Sequence, residues 1–66
     1  MTASDAIEHA ITLLKIAKDS GTPSPYRVEV PEAVLDVQLR QKLLKLPDVQ
    51  EVAVNRHSGV SVGPVT

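Results

Sequence analysis

Apolar residues Ala6, Ile7, Ala10, Ile11, Leu13, Leu14, Ile16 and Ala17 recur at helical rather than alternating intervals, which predicts a helix over residues 4–19. Advancing about 100° per residue gathers Glu8, Thr12, Lys15 and Asp19 on one narrow polar side. The apolar arc then exceeds half the circumference, which is wide for a helix covering one small sheet. Part of it is expected to meet another chain, with Ile7, Ile11, Leu14 and Ile16 as the contact residues. The competing reading makes Leu13 and Ile16 flanking core positions. Thr2 or Ser4 is placed to cap the start, and Thr2 with Asp5 has the spacing of a capping box. Asp5 and Glu8 near the beginning and Lys15 and Lys18 near the end suit the helix dipole. Gly21 and Pro23 stop the helix.

Strict alternation follows. Tyr26, Val28 and Val30 fall on one side and Arg27 and Glu29 on the other, a half-buried strand over 26–30 that Pro31 ends. Leu39, Leu43 and Leu46, with Leu35 ahead of them, form a leucine ridge on a second helix over 37–46, with Asp36 as its N-cap. Val37 and Leu44 lie on a different side and form a second, smaller contact patch or a boundary. Pro47 closes this helix. Val52 and Val54 alternate with Glu51, Ala53 and Asn55 in a strand over 49–55, whose better apolar side faces the helices. Asn55 to Gly59 supplies a hairpin loop, with Gly59 available for a positive φ, and a short strand follows over 60–62. The expected fold is a single α+β domain over residues 1–66 in the order α-β-α-β-β. Two helices pack on a small three-stranded antiparallel or mixed sheet.

Composition sharpens this picture. A 66-residue chain forms one domain, and a fold of that size buries only about 60% of the surface its unfolded chain exposes. Cysteine, Phe and Trp are absent and Tyr26 is the only aromatic residue, so Val, Leu, Ile and Ala must build the core. Disulfides and thiolate metal sites are excluded together. Oligomerisation is the remaining common way to enlarge such a core, a dimer first. Eight acidic and seven basic side chains are intermixed and give a formal charge of −1. That balance argues against a nucleic-acid partner, which needs a concentrated basic surface. Arg40, Lys42 and Lys45, with Arg56, are interrupted by Asp36 and Asp48 and lack an aromatic platform for bases. No stretch approaches the roughly 20 apolar residues of a membrane span, so no direct membrane insertion is expected. The first residues do not read as a secretory signal, and a cytoplasmic location is expected.

The segment Tyr26 to Val62, with its leucine-bearing helix, Leu46-Pro47-Asp48-Val49 and the Ser58-Gly59 turn, resembles the βαββ portion of heavy-metal-associated domains. It is closest in character to the variant that lacks the family's metal motif. The resemblance covers a little over half the chain and implies a ferredoxin-like layout, βαββαβ in the complete family fold. Asp48 stands where that family has the glycine of a Leu-Pro-Gly-Val element. The loop Pro31 to Asp36 offers only carboxylates where the family carries Cys-x-x-Cys, so thiolate metal carriage does not transfer. The partial match also implies a sheet edge that the first helix replaces or a partner completes.

Other chemistry is sparse. Asp5, Glu8 and His9 sit within the first helical turns and form a candidate carboxylate/His metal site, incomplete unless a second chain contributes. The alternative for His9 is a boundary histidine with an ordinary hydrogen bond, and His57 reads as solvent-exposed. Ser4, Ser20, Ser24, Ser58 and Ser61 lack a nucleophile motif. Glu29, Glu32, Asp36 and Glu51 have no evident cavity in which to act as an acid and base pair, and the isolated glycines form no phosphate loop. No cofactor and no catalysis are expected. The function expected is that of an accessory or adaptor domain that self-associates or binds a protein, through Ile7, Ile11, Leu14 and Ile16, with Val37 and Leu44. The alternative is a metal-homeostasis module, holding an ion itself or regulating a metal transporter.

Overall fold

The computed structural model describes residues 1–65. Its elements run α1 (Ala3–Asp19), β1 (Tyr26–Pro31), α2 (Val37–Leu44), β2 (Val49–Asn55) and β3 (Ser61–Pro64), the order expected from the pattern. Thr2 caps α1 in a full capping box: the Asp5 N–H donates to Thr2 Oγ1 at 3.1 Å, and the Thr2 N–H donates to Asp5 Oδ2 at 3.2 Å. At its other end Gly21, at φ +79°, makes a Schellman turn, in which the Gly21 N–H donates to the Lys18 carbonyl and the Thr22 N–H to the Ala17 carbonyl. Asp36 caps α2 by accepting the Leu39 N–H at 2.7 Å. The helix is two residues shorter than the leucine ridge predicts, because the residue before Pro47 is disfavoured in helical conformation.

The three strands form a mixed sheet in the order β2-β1-β3, with β1 parallel to β2 and antiparallel to β3. The expected hairpin between β2 and β3 does not form. β3 crosses instead to the far side of β1, where α1 packs over it. On the outer side of β2 it would have lain beyond that cover, with Val60 and Val62 left in water. Gly59 has no positive φ, since its segment is a crossing loop rather than a tight hairpin turn.

Both helices cover one sheet face. Ala6 and Ala10 of α1, Val28 and Val30 of β1, Leu39 and Leu43 of α2, and Val52 of β2 form the main core. Leu14, Ala17 and Tyr26 extend it at the other end. Three of the four buried residues of α1 are alanines, whose short side chains leave its bulkier Ile residues on the flanks. The other sheet face carries Arg27, Glu29, Glu51, Ala53, Ser61 and Gly63 in register. Arg27 pairs with Glu51 at 3.5 Å there, and the face is solvated. The layout is partial ferredoxin-like, with one specific difference: β1 and β2 pair directly, whereas the ferredoxin-like βαβ unit is split by an intervening strand.

Candidate interaction surface

β1 has both of its edges paired and the sheet therefore ends on β2 and β3. The two ends differ. β3 has four residues and carries Gly63 and Pro64, and a short strand ending in a residue without an N–H makes a poor template. β2 has seven residues, VQEVAVN, with no proline and no lysine. Its one irregularity is at Gln50, which has no partner between the Tyr26–Val49 and Arg27–Glu51 pairs; from Glu51 to Asn55 the ladder is regular. Its outer side thus presents a row of backbone donors and acceptors to solvent.

Apolar side chains accompany this edge. Val54 is in register with Val30, yet Val30 is fully buried and Val54 is 46% exposed, because the edge lies past the cover of α2. Val37 and Leu44 are seven residues apart, hence on one stripe of α2, and are 70% and 42% exposed. α2 packs on β2 while α1 packs on β3 and β1. With the right-handed crossover of parallel βαβ units, α2 is the helix on the β2 flank, and its Val37–Leu44 stripe lies away from the buried Leu39 and Leu43. Val37 begins α2 at the sheet end where β2 finishes, so it lies at the Val54 end of this flank.

The expected contact residues are thus distributed over different surroundings. Leu14 is 5% exposed and belongs to the core, and Ile7 packs half-buried against it. Ile11 lines a small groove with Leu14, Lys15, Lys18, Leu46 and Pro47, on the side of α1 that faces α2. Ile16 is exposed on the opposite flank of α1, seven residues from His9, whose neighbours include Leu13 and Val60. Val37 and Leu44 are together and apart from Ile16. Val54 was missed as a surface residue, because alternation assigns it to the helix-covered face and says nothing about where that cover stops.

A shallow cleft opens at the carboxyl ends of β1 and β2, lined by Pro31, Glu32, Ala33, Asn55, Arg56, His57 and Ser58. Asn55 shapes it. Buried to 8% exposure, its Nδ2 donates to the Gly59 carbonyl at 3.0 Å and its Oδ1 accepts the His57 N–H at 3.0 Å. Arg56 and His57 are exposed on that loop.

Among the described residues no three His, Cys, Asp or Glu side chains converge to hold an ion, so this chain alone does not complete the candidate set of Asp5, Glu8 and His9. Asp5 is engaged in the helix cap instead. Its carboxyl is held below the ordinary aspartate value, first by the Thr2 backbone N–H and then by the Thr2 hydroxyl. No described helix is long and apolar enough to cross a membrane. No protein family, curated protein or solved structure matches this chain.

Proposed function

We propose that this chain is a non-enzymatic assembly domain that binds protein through the β2 edge, with Val54, Val37 and Leu44 as the apolar part of the contact. The observation that carries the reading is the asymmetry of the two sheet edges. β3 is short and ends in proline, whereas β2 is long, unprotected and flanked by three exposed apolar side chains. Strand addition to such an edge draws affinity from backbone hydrogen bonds and specificity from the side chains that alternate beside it. A two-helix domain of this size also gains from any extension of its core.

The metal-homeostasis reading has narrower support. It rests on the resemblance to heavy-metal-associated domains, and one residue favours that likeness: Asp48 occupies the family's glycine position at φ +67°, a conformation that suits glycine. The unsplit βαβ unit and the engagement of Asp5 in the helix cap count against metal carriage itself.

Light scattering over a micromolar concentration series, paired with capture assays on immobilised protein, tests the proposal. Val54→Lys is expected to abolish association while leaving the thermal transition of the monomer within a few degrees of the parent. Ile16→Lys, on the far flank, is the comparison variant and is expected to associate as the parent does. Loss of association in Ile16→Lys with none in Val54→Lys would move the contact to the outer face of α1.

A further inference from the structure

We propose that the occupant of the β2 edge is a second copy of this chain, paired antiparallel through β2 about a two-fold axis at Ala53. This rests on the reading of β2 as an assembly edge and names what fills it. A two-fold contact requires a strand complementary to its own reverse, and β2 meets that condition about Ala53. Val52 comes opposite Val54 of the partner subunit, and Val54 opposite Val52 of the partner subunit. Both valines lie on the helix-covered face, so each exposed Val54 gains an apolar cross-strand neighbour.

On the solvated face Ala53 meets Ala53 of the partner subunit without crowding, and Glu51 comes opposite Asn55 of the partner subunit. No like charges are opposed. A two-fold axis at Val52 instead would set Val54 against Gln50, the residue at which the ladder is irregular. The Ala53 axis uses only the regular part of β2.

The helices agree with this arrangement. The same axis runs the two copies of α2 antiparallel in one layer, the Val37 end of each alongside the Leu44 end of the other. The result is a continuous six-stranded sheet with all four helices on one face and β3, the protected strand, at both outer edges.

The chain has no cysteine, which makes the axis directly testable. Opposed Cα atoms in an antiparallel pair lie about 4.5–5.5 Å apart, inside the range a disulfide spans. Ala53→Cys is expected to form a covalent dimer on mild oxidation, while Ser61→Cys on β3 remains monomeric under the same conditions. In the unmodified protein, isotope-filtered NMR on a mixture of labelled and unlabelled chains should show contacts between Ala53 residues of different copies. Hydrogen exchange of β2 amides should slow as concentration rises. A dimer cross-linked through Ser61→Cys and not Ala53→Cys overturns the β2 seam. A chain that stays monomeric throughout the micromolar range but captures a different protein, with capture lost in Val54→Lys, overturns the second copy and leaves the assembly reading intact. A monomer that captures nothing overturns both.

Discussion

Single residues decide several local features here, and Asp48 is the clearest. Its φ of +67° lies in the left-handed region, where a Cβ is disfavoured and Asp is among the tolerated exceptions. Lys18 lies 3.1 Å from its carboxylate, with both side chains close to half exposed, a pair worth about 0–1 kcal/mol. Asp48→Gly relieves the backbone and loses that pair, so its stability is expected within about 1 kcal/mol of the parent. Asp48→Val keeps neither advantage and is expected to cost about 1–3 kcal/mol; chemical denaturation of the two variants separates backbone strain from charge. Tyr26, 2% exposed, donates its hydroxyl to the Thr22 carbonyl at 2.7 Å. Tyr26→Phe removes that bond and is expected to lose about 1 kcal/mol by the same measurement. Asp5 gives a pH signature. Its folded-state pKa is depressed, so it stabilises the helix start at pH above the ordinary aspartate value of about 3.9. That contribution is lost as pH falls through the lower folded value. An NMR titration should place the Asp5 midpoint below the ordinary value and show the Thr2 amide moving with it; Thr2→Val, which removes the hydroxyl and keeps the backbone N–H, should raise the midpoint only in part.

Elements are specified by pattern and bounded by caps. The capping box, the Asp36 cap and the alternation of β1 were all readable, since each depends on residues within about four positions of one another. Helix α2 tests how well periodicity separates core from surface. Leu43 is fully buried and its neighbour Leu44 is 42% exposed. Leu43→Ala is expected to destabilise by about 2–5 kcal/mol through lost burial and an unfilled cavity. Leu44→Ala should stay within about 0.5 kcal/mol in the monomer, with its effect appearing in the association constant. The arc on α1 was read less well. Its width suggested one contact face, but the sheet accepts the alanine stripe and divides the isoleucines between two flanks, so Ile11 and Ile16 end on opposite sides.

At the scale of the whole molecule, the sheet is narrow and its cover incomplete. Two helices suffice for β1 and β3, and the apolar side of β2 runs past them at Val54. If β2 pairs across copies, folding and association share one equilibrium, and the midpoint of thermal unfolding should rise with protein concentration. A midpoint independent of concentration over two decades would be expected instead of a monomer. The crossing of β3 over the end of β1 also brings Arg56 and His57 to the carboxyl ends of the parallel strands, an arrangement no local reading of residues 55–59 contains.

The amino-acid sequence by itself determined the order and type of the five elements, their helix caps, the absence of thiol chemistry and the inward-facing positions Val28, Val30, Leu39 and Leu43. These are consequences of backbone propensity and of side-chain periods that act over a few residues. Tertiary structure alone decided which strands are neighbours. β2 and β3 are separated by a short loop and read as a hairpin, yet the apolar cover of α1 draws β3 to the other side of β1 and leaves β2 at the edge. Whether Val54 is core or surface depended on that choice, because burial is set by what lies across the sheet and how far the helices reach over it.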